Sequence, residues 1–446
     1  MKAIIMAGGE GTRLRPVNNR CPKPMVRLLG RPVLEHLLLL LRDCGFTEVC
    51  ITLRYMPERI RSYFHNREIP GLHIEYRVED TPRGTAGGVR ACADFIGDET
   101  FLVISGDAVC DFDLRAFMEQ HYASGAPLSM ALYSATEPLP YGLVVTDRQH
   151  RIVSFIEKPA WDHVVTDLVN TGIYAVSPRI LKEIPENTTF DFAKDLFPYL
   201  MEQNIPLYGF PTDGYWCDIG SPEAFLRCSM DALQGKLRLC PSVPERGNRI
   251  FSADPLPDNI ILHPPCFLGQ GIFISTGAII GPGAVIGCGS QIDSNAIIRN
   301  SVIDGALVGE NCVVEDSVIC RDATLPASSR IGRGSVLAPR GAECVPPKKR
   351  TPAMVARTPR HSREVPCRNR ARLMRTLSEQ LMEAGAEFTD GLQLRDHAGS
   401  VRIAPSATVS ALQIEVDAPT SEAAEHLLSN YATMIESLCG EEESPL

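Results

Sequence analysis

The chain has no apolar run long enough to cross a bilayer. Its longest leucine run, Leu37 to Leu41, is bracketed by His36 and Arg42, far short of the roughly 18 apolar residues that a spanning helix needs. It has no C-x-x-C pair, although fifteen cysteines are scattered from Cys21 to Cys439, so neither a zinc-finger framework nor a compact disulfide scaffold is encoded and free thiols are expected. A surplus of positive charge is also missing: 44 basic against 54 acidic residues leave −10, which argues against nucleic-acid partners because a phosphate backbone demands a basic face. Aromatic residues make up only 7%, with two tryptophans, so the core must be mainly aliphatic. Met1-Lys2 leads into only five apolar residues, Ala3 to Ala7, before Gly8. That is too short for a secretory signal, and a cytoplasmic protein is expected.

At ~150 residues per domain, 446 residues suggest about three domains. Residues 1–235 alternate short apolar runs (Ala3 to Met6, Val49 to Leu53, Phe101 to Ser105) with helical patterns (Val33 to Cys44, Pro57 to His65, Leu114 to Ser124). That alternation predicts an α/β fold with a parallel sheet. Further runs at Leu128–Tyr133, Gly142–Thr146, Ile152–Glu157 and Val169–Val176 read as an extension of the same sheet.

Residues 258–345 are periodic. Every sixth residue from Leu262 is aliphatic through Leu268, Ile274, Ile280, Ile286, Ile292 and Ile298. After a slip, Val302, Val308, Val314 and Cys320 continue the step, then Ile331 and Leu337. Hexapeptide periodicity predicts a left-handed parallel β-helix with the branched residue pointing inward, an expected platform for homo-oligomers. Acyltransferase chemistry, which also occurs on such coils, needs a histidine base; His263 alone lies between Leu262 and Cys344. Residues 346–367 read as a basic linker, since Pro346 to Arg375 holds ten Lys or Arg against one Glu. Residues 368–440 read as a small α+β domain with a helix from Thr420 to Leu438.

The chemistry concentrates directly after the first strand, in Met6-Ala-Gly-Gly-Glu-Gly-Thr-Arg-Leu-Arg-Pro16. Gly8, Gly9 and Gly11 let backbone amides approach a phosphate or base, and Arg13 adds a fixed charge beside them. The dinucleotide fingerprint is excluded, because Leu14 stands where it needs glycine, and no G-x-x-x-x-G-K-[ST] occurs. Pro22-Lys23-Pro24 holds one lysine in a rigid loop, as a phosphate ligand or an exposed loop lysine; beside the glycine loop the ligand reading is preferred.

G-G-x-G-T-R-L-x-P followed by P-K-P-M resembles the sugar-nucleotide pyrophosphorylase (nucleotidyltransferase) family. The resemblance covers about residues 1–345 and continues through Gly84-Thr85-Ala86-Gly87-Gly88, Ser105-Gly106-Asp107, Tyr141-Gly142, Glu157-Lys158-Pro159, Asn170-Thr171-Gly172 and Trp216-Cys217-Asp218-Ile219-Gly220. It is greatest to the branch that joins GTP to mannose 1-phosphate. It implies that a sugar 1-phosphate oxygen attacks the α-phosphorus of an NTP and pyrophosphate leaves, with no general base. On this resemblance Asp107 and Asp218 hold Mg²⁺, Arg13 and Lys23 are catalytic, and Gly8, Gly9, Gly11, Thr12, Gly84, Thr85, Gly87 and Asp107 bind the nucleotide. Tyr141, Gly142, Glu157, Lys158, Asn170 and Thr171 bind the sugar phosphate. Asn18 stands where the family usually has threonine.

Two rival expectations are a UTP or dTTP glucose-1-phosphate enzyme and a non-catalytic, NDP-sugar-sensing regulatory subunit; the latter has no need of both metal carboxylates. The C-terminal domain resembles the last domain of phosphomannomutase-type phosphohexomutases, through Arg372-Leu373-Met374-Arg375, Thr389-Asp390-Gly391 and Val401 to Thr408. Where that family reads R-P-S-G-T-E-P, this chain reads Ala404-Pro405-Ser406-Ala407-Thr408-Val409-Ser410. Mutase chemistry is therefore excluded, and a remnant kept for packing, assembly or effector binding is expected. Deleting residues 346–446 is expected to leave turnover largely unchanged.

Overall fold

The computed structural model describes residues 1–255, 258–339, 361–382, 385–388, 391–396, 399–407 and 409–442. Four strands, β1 (Lys2–Ala7), β2 (Glu48–Leu53), β3 (His73–Val78) and β4 (Phe101–Ser105), lie parallel in the order β4-β1-β2-β3. Helices α1 (Val33–Asp43), α2 (Pro57–Phe64) and α3 (Gly84–Arg90) lie in the crossovers. Strand β1 shows why its sequence is continuously apolar: Ala3, Ile5 and Ala7 enter one buried cluster and Ile4 another, on opposite faces of the sheet.

The chain then forms β5 (Ala108–Cys110), α4 (Leu114–Ser124), β6 (Leu128–Ser134), β7 (Gly142–Thr146), β8 (Ile152–Glu157), β9 (Leu168–Val176), β10 (Leu207–Pro211), β11 (Trp216–Asp218) and α5 (Pro222–Gln234). Strand β9 runs antiparallel to β4, β6 and β7, and completes one nine-stranded mixed sheet. The expected extension is thus part of the same sheet. Helix ends follow local chemistry. Asp113 caps α4 by accepting from the Ala116 amide, Ser221 caps α5 by accepting from Ala224, and Gly125 and Gly235 stop them at φ of 65° and 78°.

The periodic region is a left-handed parallel β-helix with three sheets of six, five and four short strands. Its interior column runs Ile286, Ile292, Ile298, Ile303, Val308, Val314, Ile319 and Leu325, all fully or almost fully buried. This corrects the expected register after the slip. Ile303 and Ile319 point inward, whereas Val302 and Cys320 belong to the cluster shared with the nucleotidyltransferase fold. Five-residue steps at 298–303 and 314–319 are absorbed at corners by Asn300 and Asp316, whose φ are 43° and 47°. Phe251, Phe267, Val285, Val302, Val318 and Val336 are successive register partners. They form an outward column that packs on Leu14, Val26, Leu28 and Phe225. Both sides of these coil strands are therefore covered.

The C-terminal domain contains β12 (His361–Pro366), α6 (Arg370–Leu381), β13 (Leu392–Asp396), β14 (Gly399–Pro405), β15 (Ala411–Asp417) and α7 (Ser421–Glu442). Its antiparallel sheet has the order β12-β15-β14-β13. The reading of 346–367 as linker is corrected over His361–Pro366, which is an edge strand paired residue for residue with β15. The remainder up to 360, with Thr389, Asp390 and Thr408, lies outside the described residues. Thr420 caps α7 by accepting from the Ala423 amide. The described cysteines are free thiols, and no described helix is long and apolar enough to cross a membrane.

Candidate active site

The glycine loop leaves the C-terminal end of β1 and is fixed by packing on several sides. Gly11 has φ of 64°, and a Cβ there would sit 2.8 Å from Lys23 Cβ and 3.1 Å from Asn18 Nδ2. Both the left-handed backbone and the lack of space require glycine. Asn18, 1% exposed, donates from Nδ2 to the carbonyls of Glu10 (3.1 Å) and Gly11 (3.2 Å). The departure from threonine thus keeps a polar tie to the loop. Thr12–Leu14 form a single 3-10 turn that buries Leu14 against the outward column of the β-helix. An Arg20–Asp322 ion pair joins the same two bodies.

Two aspartates 111 positions apart meet through a small strand pair. Asp107 follows β4, and β11 pairs antiparallel with β5 so that Asp218 faces Ala108. Lys23 Nζ lies 2.6 Å from Asp107 Oδ2 and 2.6 Å from Asp218 Oδ1, with 7% of its side chain exposed. Ser105 Oγ donates to Asp107 Oδ1 at 2.6 Å, and Arg13 lies 4.0 Å from Asp218 with 67% of its side chain exposed. Burial opposes ionisation of Asp107, but the Lys23 ammonium, with its hydrogen bond and that of Ser105, holds the carboxyl below its ordinary range. Burial likewise works against the Lys23 charge, and the two carboxylates outweigh it and hold the ammonium above its ordinary value. A cavity of about 270 Å³ opens here, lined by Gly9, Gly11, Thr12, Arg13, Lys23, Asp107 and Gly220.

No group of three or more His, Cys, Asp or Glu that could ligate a metal occurs among the described residues. The two carboxylates nevertheless suit a magnesium-like ion. They already converge on one cation, the Lys23 ammonium, and such an ion characteristically uses one or two carboxylates and completes its shell with water and phosphate oxygens.

The second half of the site joins the first through Tyr141, whose ring meets Trp216 edge-on at 5.0 Å. Burial, with the Asp218 charge, pushes its phenol up to about 12. The Tyr141 carbonyl accepts from the Lys158 amide (3.1 Å), and Lys158 takes φ of 48°. Lys158 Nζ lies 3.2 Å from Glu157, with 45% of its side chain exposed. Gly142 leaves room for the Phe155 ring and Glu157, to which a Cβ would approach within 2.7 and 2.9 Å. Asn170 Oδ1 accepts from the Gly172 amide (2.9 Å) and the Tyr174 hydroxyl (3.1 Å).

Other expected residues are placed elsewhere. The Thr171 hydroxyl donates to Ala131 in the core at 2.7 Å, so it presents no hydroxyl to the cleft. Gly84, Thr85 and Gly87 do not line the 270 Å³ cavity; they dock α3 on the segment 188–192. The Ala86 and Gly87 amides donate to Phe190 O, a Cβ on Gly84 would lie 2.6 Å from that oxygen, and the Thr85 amide and hydroxyl donate to Asp191 Oδ1 at 2.9 and 3.0 Å. Asp191 was invisible to sequence reading, because nothing in its neighbourhood announces a partner 106 positions away. Trp161, Asp167 and Arg370, which with Arg375 join the C-terminal domain to this half of the site, were also missed, and Arg375 was read only as part of a motif of the C-terminal domain. The signal for Trp161 was that it is one of two tryptophans.

The nucleotidyl transferase family model matches residues 2–235, more than half of the chain, and the GMPPB C-terminal domain model matches residues 262–342. Similar proteins include the UTP–glucose-1-phosphate uridylyltransferase of a Synechocystis strain, 35% identical over 251 residues that cover 53% of this chain and 65% of that protein. The mannose-1-phosphate guanylyltransferase of Mycobacterium tuberculosis is 34% identical, covering 55% of this chain and 68% of that one. The mannose-1-phosphate guanyltransferase of Hypocrea jecorina is 31% identical, covering 60% and 74%. The chain thus spans about two thirds to three quarters of the length of these relatives.

Proposed function

Because the chain belongs to the nucleotidyl transferase family, we propose that it is a cytoplasmic sugar-1-phosphate nucleotidyltransferase that joins GTP to mannose 1-phosphate, giving GDP-mannose and pyrophosphate. The observation that carries this reading is the Lys23 ammonium seated 2.6 Å from both Asp107 and Asp218 at the wall of a glycine-lined cavity. Joining two polyanions requires that their mutual repulsion be neutralised where charge develops on phosphorus and the leaving group.

In this reading Gly8, Gly9, Gly11 and Thr12 bring backbone amides to the nucleotide. Arg13 and Lys23 turn to the triphosphate, and Lys158 takes the phosphate of the sugar phosphate. Glu157, Asn170 and the Gly142 backbone meet sugar hydroxyls. Asp107 and Asp218 hold Mg²⁺, which when bound supplies charge neutralisation and orientation of the phosphate oxygens. The Tyr141–Trp216 ring contact at 5.0 Å, which links the sugar-side residues to the strand that carries Asp218, supports placing the two substrates side by side for in-line attack. No side chain needs to take a proton from the attacking oxygen, because a phosphate monoester is anionic at neutral pH.

The guanylyl and mannosyl choice is supported by the activities after which the Mycobacterium and Hypocrea relatives are named. The Synechocystis relative, at 35% identity, supports UTP with glucose 1-phosphate as the second reading. The β-helix offers exposed Phe273 and Ile261 away from the face covered by the nucleotidyltransferase fold, and we assign association between copies to it, measurable by light scattering. Pyrophosphate release from purified protein and Mg²⁺ across a matrix of NTPs and sugar 1-phosphates tests the function. One dominant GTP and mannose 1-phosphate pair is the expected result; dominance of UTP and glucose 1-phosphate replaces it with the second reading. Silence across the matrix with NDP-sugars still bound makes the chain a sensor.

A further inference from the structure

The C-terminal domain is seated on the nucleotidyltransferase fold chiefly through the loop between β8 and β9, with Val145 of β7 and Ile156 of β8 in the same seam. The Arg370 guanidinium lies 3.6 Å from the centroid of the Trp161 ring, while its other hydrogens go to the carbonyls of Ser406 and Val409. Arg375 reaches Asp167 at 3.2 Å, and that carboxylate is only 1% exposed. Its other oxygen accepts from Ser134, so its charge is compensated from the C-terminal domain. Ser378 Oγ donates to the Val165 carbonyl at 2.8 Å. Val145, Ile156 and Val165 complete the apolar core built by Leu373, Leu377 and Leu412. A π contact, a buried ion pair and a hydrogen bond thus tie this loop to α6, and apolar packing joins it to α6 and the sheet beside it.

The anchored stretch is bounded by the proposed sugar-phosphate residues. Lys158 precedes Trp161 by three positions and Asn170 follows Asp167 by three, so little slack separates the anchors from the ligand-facing groups. On the sugar side Lys158 is half-exposed and left-handed; its own contacts restrain it weakly. The glycine loop is backed by the β-helix instead.

We propose that the C-terminal domain is a positioning module for the sugar side of the cleft. Trp161, Asp167, Arg370, Arg375 and Ser378 act as positioning residues that set affinity for the sugar 1-phosphate and leave NTP affinity alone. By linkage, whatever binds or displaces this domain is read out as a change in sugar-phosphate affinity. The proposal rests on the sugar-1-phosphate reading above, and it replaces the expectation that the domain is dispensable.

The test uses the full chain carrying Arg375→Ala, Arg375→Lys or Ser378→Ala. Steady-state KM is measured separately for GTP and mannose 1-phosphate, and amide hydrogen exchange is followed over residues 158–170. Arg375→Ala should raise the sugar-phosphate KM by about tenfold, within the usual range of coupling between sites, with the GTP KM unmoved and faster exchange in 158–170. Arg375→Lys should recover part of the loss. If Arg375→Ala does not fold, Ser378→Ala, which deletes one hydrogen bond, should give a smaller shift of the same selectivity. Equal changes in both KM values, or unchanged exchange and sugar KM in the folded variants, would overturn the proposal. The exchange readout needs no turnover, so a wrong substrate assignment shows as silence in the assay with the exchange difference intact.

Discussion

Lys23, with 7% of its side chain exposed, and Lys158, with 45%, belong to two differently built sides of one cleft. On the nucleotide side the glycine loop is tied by Asn18, packed through Leu14 on the β-helix, and its cation is already paired with two carboxylates. On the sugar side the ligand-facing groups sit at the ends of a loop pinned by a separate domain. Preorganisation is thus strong where the triphosphate's charge has to be met. It is delegated where the sugar 1-phosphate is to be held.

The contrast can be broken most sharply at its charged centre. Asp107→Asn or Asp218→Asn should lower kcat about a thousandfold or more, since one preorganised electrostatic group is worth 10² to 10³ and the neutral amide would also weaken the hold on Mg²⁺. Circular dichroism should show the fold intact, and near-normal turnover in either variant would remove both assignments. Lys23→Met should cost about a hundredfold in kcat; if it changed only the KM for mannose 1-phosphate, the two sides would be wrongly divided.

A matched pair of glycines sharpens the division. Gly11→Ala, strained at φ of 64° and 2.8 Å from Lys23 Cβ, should raise the GTP KM about tenfold, the equivalent of about 1.4 kcal/mol. Gly142→Ala, 2.7 Å from the Phe155 ring, should raise the mannose 1-phosphate KM by a similar factor. Crossed effects on the two substrates would refute the split.

A further effect, on stability and not on turnover, lies in the scaffold of the nucleotide side. His36 on α1 is buried, bonds the Leu28 carbonyl at 2.9 Å, and burial lowers its pKa from 6.5 to about 4. The unfolded chain takes up that proton near 6.5 and the folded one only near 4, so stability should be level above 6.5 and fall as pH drops through that window. The loss is about 3 kcal/mol at most. Urea unfolding from pH 7 to 4 should show the slope, and His36→Gln should reduce it, leaving the part due to His121, whose pKa burial also lowers to about 4; an unchanged slope would place the acid sensitivity elsewhere.

Much of this was legible beforehand, and particular residues show where legibility stops. The six-residue spacing announced the coil, but Val302 and Ile303 are both apolar because one faces the nucleotidyltransferase fold and the other the coil interior. A pattern that distinguishes inside from outside is ambiguous where both are buried. The segment His361–Pro366 read as linker on the basic charge of Pro346 to Arg375, and an edge strand with only Val365 buried shows no alternation to set against it. Asp107 and Asp218 were recognised through family motifs, since separation along the chain says nothing of the β5–β11 pairing that unites them. Thr85 was assigned to the nucleotide through the family motif Gly84 to Gly88, and its partner Asp191 carries no local sign.

The seam between Val165 and Ser378 spans 213 positions of sequence, and that distance has a meaning in time. At about 5–20 residues per second of synthesis, roughly 10–40 seconds separate the two residues on the ribosome. The strands that flank the sugar loop are complete long before α6 exists, so Asp167 first meets water and only later a guanidinium. The nucleotide side, backed by residues up to Val336, is finished earlier than the sugar side. In a nascent chain the docking of α6 on this loop therefore follows the packing of the β-helix on the glycine loop, and under the proposed function the sugar side becomes competent after the nucleotide side.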